Sequence, residues 1–265
     1  KAQKISWQGI KDGLSNAAEA VGKACAVASA DVISAAGTAV ATQSLAVTAG
    51  VATGGTGYVV VTVSAATVGA VGGSYMAGKE VYSSLPPNSN PNVDGWDYLN
   101  SGNSHNQLLK ELYEQANGNE FDNSVLVSLA IPKFDISATQ ASIFYSEEWN
   151  DIMEQVKEIS LEYAHNEDNS IQLLNWYHER GLIDGNVYEI LHSFMEIYSN
   201  IIDMDEISLV VSSYVDFVQT STWLSSNERI ILLSTLAVAS KSPFFWIQFE
   251  DETNPVEDET DPADY

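Results

Sequence analysis

Along the chain, the pattern of apolar and polar positions changes character after the first third. From Val32 to Gly78 there are 47 consecutive residues without a charge, dominated by Ala, Gly, Val, Thr and Ser. The run Thr53-Gly54-Gly55-Thr56-Gly57 interrupts it and reads as a turn. Residues 24–78 are therefore expected to form a helical hairpin, with one arm ending near Ala52 and the other running from about Tyr58 to Ser83. In the second arm small residues recur every fourth position: Thr62, Ala66, Ala70, Ser74 and Gly78 on one row, with Ala65, Gly69, Gly73 and Ala77 beside it. Residues four apart share a helix face, and rows of small side chains let backbones approach closely. The β-branched run Tyr58–Val63 also suits a strand. The small-residue spacing continues well past it, which favours helix.

Residues 84–103 are rich in Pro, Asn, Ser and Gly and read as a linker. Beyond them the apolar period is helical. Trp149, Ile152, Met153, Val156, Ser160 and Tyr163 fall on one face, as do Val187, Ile190, Leu191, Phe194, Tyr198 and Ile201, and again Ile207, Val210, Val211, Tyr214 and Val218. Ser104 with Gln107, Asp203 with Glu206 and Ser225 with Glu228 have capping-box spacing and predict helix starts. Ile230–Val238 is apolar nearly all round and predicts a central, buried helix. The expected fold class is all-α, a helical bundle with an N-terminal small-residue helical hairpin. Its parts are the hairpin (1–83), the linker (84–103), an acidic helical bundle forming one compact unit with the hairpin (104–249), and a tail (250–265) in which eight of sixteen residues are acidic.

Charge changes the picture of partners. The 265 residues carry 36 Asp and Glu against 11 Lys and Arg, a formal net charge of −25. Four of the acidic residues lie in 1–83 and 32 in 84–265. Such a surface repels phosphate backbones, so nucleic acid is excluded as a partner class. A cationic ligand or a basic protein surface remains compatible, as does a membrane approached through residues 24–78. Weak Ca²⁺ binding is expected of the acidic tail. Tyr58–Gly78 is long enough to span a bilayer, and its six Val favour insertion by roughly 2 to 4 kcal/mol. Four Gly, several Thr and Ser, Asp31 in the first arm and the lack of aromatic belts oppose it. The single cysteine, Cys25, allows no intrachain disulfide. The chain opens at Lys1 rather than Met, the form left by signal-peptide removal, so an exported, extracellular or cell-surface protein is expected.

Candidate chemistry is sparse. Two Glu-x-x-His pairs, Glu162/His165 and Glu189/His192, have the spacing that di-iron bundles use when all ligands project inward. At about 100° per residue both pairs point away from their helices' apolar stripes, so the solvated-face reading is preferred and no metal or cofactor is expected. Asn90, Asn92, Asp94 and Gly95 fit the start of an EF-hand loop, but Ser101 stands where its bidentate Glu belongs. Gly73–Lys79 looks like a phosphate-binding loop, but Glu80 follows the Lys and the setting is a helix end. Cys25 reads as a small packed residue. Trp149, Trp176, Trp223 and Trp246 read as core. His105-Asn106 is a binding candidate, with N-terminal capping of the first helix after the linker as the preferred reading.

Three short segments together resemble a group of exported bacterial proteins of unknown function. They are Ala30-Asp31 opening the Ala/Gly-rich run, the Gly-x-x-His-Asn helix start at Gly102–Asn106, and Leu232–Trp246, where an apolar helix runs through Val238-Ala239-Ser240-Lys241-Ser242 to an aromatic. The resemblance implies export and a helical fold, and it supplies no activity or catalytic residues. The expected role is a non-enzymatic interaction or surface-associated protein. The alternatives are a bacteriocin-like or pore-forming protein inserting residues 24–78, and a metal-binding helical bundle.

Overall fold

The computed structural model describes the backbone of residues 7–51, 55–82, 91–117, 119–166 and 170–253, and side chains within those stretches from 18 to 247 except His165 and Asn166. The acidic tail beyond residue 253 lies outside the described residues. Among the described residues there are ten α-helices: α1 (Trp7–Thr48), α2 (Thr56–Val81), α3 (Ser101–Ala116), α4 (Asn123–Ala130), α5 (Ala138–Phe144), α6 (Glu147–Asn166), α7 (Ser170–Glu179), α8 (Gly185–Tyr198), α9 (Met204–Thr220) and α10 (Ser226–Thr253). The protein is an all-α bundle, and the described residues contain no strand.

The uncharged hairpin is the core of the bundle. α1 and α2 pack on one another along their length, α10 lies against both, α6 covers α2 and α1, and α3 closes the space between α2 and α10. Every residue from Val61 to Gly78 is buried, whichever way it points. A helix enclosed on all sides needs no polar face, which is why this segment lacks charge. The small rows have distinct partners. Side chains added at Gly69 or Gly73 would overlap Thr38 and Ser34 of α1, and one added at Gly78 would overlap Trp246 of α10. The Val-rich start of α2 is helical because it is packed between neighbours and not paired along an edge.

Local signals set several boundaries. α1 ends in a Schellman motif: Gly50 takes φ +79°, its N–H bonds the Val47 carbonyl, and the Val51 N–H bonds Ala46. Asp203 caps α9 through the Asp205 N–H. Ser225 and Glu228 form a reciprocal box at α10, at 2.7 and 3.2 Å.

Three expectations need correction. α1 reaches back to Trp7, well before the uncharged run. The helix after the linker starts at Ser101 and not at Ser104: Asp97 accepts the Gly102 and Asn103 N–H groups at 2.8 and 3.0 Å, so a carboxylate four residues upstream of the helix takes the capping role. Ser101–Asn103 thus belong to α3 and not to the linker. Trp223 is 55% exposed, whereas Trp149 and Trp246 are fully buried. Trp223 stands in the turn before α10, where among the described residues Phe217 meets its ring edge to face and leaves more than half of it open.

Candidate buried polar centre and two surface grooves

Four helices bring polar side chains to one sealed point. Asp31 of α1, Ser74 of α2, His105 and Asn106 of α3, and Ser242 with Trp246 of α10 are all buried. The hydrogen bonds between them fix their orientations. The carbonyl of Lys241 can only accept, so the Asn106 amide must turn its Nδ2 toward it, at 3.2 Å. Asn106 Oδ1 then faces His105 Nδ1 at 2.9 Å and requires a proton on that nitrogen. In neutral His105 this leaves Nε2 as a lone pair, 3.7 Å from Asp31 Oδ2. Asp31 Oδ2 also accepts from the Ser242 hydroxyl and, at 3.5 Å, from Trp246 Nε1.

Burial moves both titratable groups toward neutrality. Removal from water pushes Asp31 up to about 7, against the lowering effect of its bonds from Ser242 and Trp246. The same desolvation pulls His105 down to about 4, against its bond to Asn106. Asp31 Oδ1, His105 Nε2 and the Ser74 hydroxyl form no hydrogen bond. An acceptor nitrogen facing a carboxylate oxygen is repulsive, so neutral His105 adds to desolvation in favouring the protonated form of Asp31. Acid, base and hydroxyl are all present, but each is sealed from solvent, and no substrate reaches them in this conformation.

His105 and Asn106 therefore do not cap α3, as the sequence suggested. They are buried one turn inside it and tie α3 to α1 and α10. Sequence reasoning missed Ser74, Ser242 and Trp246 as partners of Asp31. Ala30-Asp31, Gly102–Asn106 and Leu232–Trp246 each contribute a residue to this centre.

The Glu-x-x-His residues lie elsewhere. Glu162 is exposed and 3.9 Å from Arg180, Glu189 is exposed, and His192 Nδ1 is 3.8 Å from Glu196 on its own helix. The His165 side chain lies outside the described residues. Among the described residues no three His, Cys, Asp or Glu side chains gather as a metal site would require. In the EF-hand-like stretch, Asn92 Oδ1 accepts from Gln107 and the Asp94 carbonyl accepts from Lys241 Nζ, while Asn90 lies outside the described residues. Gly73–Lys79 lies within α2.

Two grooves flank α9. One, of about 400 Å³, runs between α8 and α9 and is lined by Glu189, Ile190, Ser193, Tyr214, Phe217 and Trp223. Phe217 and Trp223 meet edge to face at 6.3 Å and are 44% and 55% exposed. The other, of about 560 Å³, opens between α9, α10 and the segment 93–96. No family model, curated protein or solved structure matches this chain.

Proposed function

We propose that this chain is a non-enzymatic interaction protein working outside the cytoplasm, with the α8–α9 groove as its contact face. Its occupant is a basic, amphipathic segment of a partner protein. The observation that carries the reading is the exposed pair Phe217 and Trp223, which continues into Tyr214 and Ile190 as one apolar strip. Exposed aromatic residues grouped in a groove are typical anchors of a protein contact. Glu189 stands in the groove wall, and residues 84–265 hold 32 acidic against 6 basic side chains, so the partner segment must be cationic to approach. The sealing of Asp31, His105 and Ser242 supports a role without turnover.

A Lys/Leu model helix titrated into the protein tests this. Binding should saturate, weaken with salt, and be lost in Trp223→Ala and Phe217→Ala while surviving Asp151→Asn on distant α6. Binding that is absent, or equal in all variants, removes the reading.

A second reading has the hairpin enter a membrane. It is supported by three helical stretches that, among the described residues, are long and apolar enough to cross one, Ala18–Thr48, Thr56–Val81 and Ser226–Ile247. All three are core elements, so insertion would require the surrounding helices to open. Vesicle leakage and flotation at neutral and acidic pH discriminate; no association at either pH ends this reading.

A further inference from the structure

We propose that the cleft between α9, α10 and segment 93–96 binds a short linear aliphatic diamine or polyamine. The α9 wall presents Ser208, Ser212, Asp216 and Gln219, spaced three or four residues apart and so aligned on one face. Asp94 and Trp96 stand on the opposite wall, and Phe244 closes the α10 side. Val211 and Val215 supply an apolar floor.

The alternation of charge and apolar surface selects the ligand class. A diamine carries two ammonium groups separated by methylenes. Asp216 and Asp94 on facing walls match the two charges, the valines and Phe244 match the methylene chain, and the hydroxyls and amide of α9 accept the remaining N–H donors. Trp96 is 38% exposed, leaving indole surface free to meet a cation. Its backbone carbonyl accepts from Ser240 Oγ at 3.3 Å, which holds the segment against α10.

Lys241 does not reverse the sign. Its side chain is almost wholly buried, and its Nζ donates to the Asp94 carbonyl at 2.7 Å, within the field of the Asp94 and Asp97 carboxylates. Asp94 and Asp216 line the cleft, and Asp97, the α3 cap, further offsets the charge of Lys241 from behind. The net charge of −25 draws further cations toward the opening. An anionic ligand would meet this excess of negative charge, and a purely apolar one would leave Asp216 and Asp94 without a countercharge.

Calorimetric titration of the full chain with putrescine and spermidine, at about 0.15 M salt where the screening length is about 8 Å, tests the proposal. Saturable binding of one molecule is expected, with butylamine weaker than putrescine. Asp216→Asn and Trp96→Ala should each weaken binding by roughly tenfold, while Asp151→Asn leaves it unchanged. Circular dichroism melts establish that each variant is folded. Absence of saturable heat overturns the proposal. So does affinity that is equal in all variants or matched by Mg²⁺, since both mean diffuse attraction to an acidic surface. Because α8–α9 groove binding is read with Trp223→Ala and this site with Trp96→Ala, either can fail without the other.

Discussion

The Tyr198 hydroxyl supplies the hydrogen bond that Pro243 cannot make. Pro243 sits inside α10 and has no N–H for the carbonyl four residues back, that of Ala239. Tyr198, at the end of α8, donates to that carbonyl at 2.8 Å. Tyr198 is completely buried, and desolvation holds its phenol well above the ordinary range, so it stays a donor. The carbonyl of Lys241, two residues further on, receives Asn106. The proline-containing stretch of α10 is thus held from two sides, and its second support leads directly to the buried centre.

Tyr198→Phe should destabilise the protein by about 1 to 3 kcal/mol, the cost of an unsatisfied buried carbonyl. In chemical denaturation, Pro243→Ala should recover much of that loss in the Tyr198→Phe background by restoring the helical N–H. Equal effects of Pro243→Ala in both backgrounds would show that the two residues are not coupled.

Close helix approach is testable at glycines. Gly69→Ala and Gly73→Ala should each cost about 1 to 3 kcal/mol by overpacking against Thr38 and Ser34. Gly22→Ala, where an added Cβ meets nothing, should stabilise α1 by up to about 1 kcal/mol. Thermal unfolding of the three variants reads the contrast.

Asp31 and His105 should nearly cancel in the pH dependence of stability. The folded-state value of Asp31 is raised from 3.8 to about 7, so its contribution is full below the unfolded value and is lost as pH rises toward 7. That of His105 is lowered from 6.5 to about 4, so its contribution is full above 6.5 and is lost as pH falls toward 4. Between roughly pH 4 and 6.5 the folded state holds one extra proton on Asp31 and one fewer on His105. Relative to wild type, Asp31→Asn should become more stable as pH rises through that window, and His105→Gln less stable. Parallel profiles for all three proteins would refute the pairing.

Cys25 should resist thiol reagents in the native state. It is fully buried, and burial pushes its thiol up to about 12, leaving little thiolate. Modification should require denaturant, and its rate in dilute denaturant should follow the opening of α1. Fast labelling of native protein would show that the core admits solvent there.

Several parts of this fold were legible residue by residue. The capping box at Ser225 and Glu228 and the cap at Asp203 involve groups two or three residues apart, so their spacing alone specifies the bond. The amphipathic stripe of α6 places Trp149, Met153 and Val156 in the core and leaves Glu162 outside, as 100° per residue requires. The α3 start was misread because Ser104 and Gln107 mimic a local box while the acting cap, Asp97, lies beyond the short 3-10 turn of Tyr98–Asn100. Trp223 was misread because an indole's burial depends on whether another element happens to cover it.

The amino-acid order alone determined that this protein is helical and that its uncharged run supplies two close-packed helices. Periodicity, small-residue rows and net charge are properties of the chain itself, and they survive whatever the helices do next. Tertiary structure decided everything that joins distant positions. Asp31 reads in isolation as a charge in the wrong place, and only packing brings it Ser242, 211 positions away, and a histidine whose tautomer is set by a fourth residue. Such pairings depend on how four helices cross, which follows from the fit of whole surfaces and from no single spacing along the sequence.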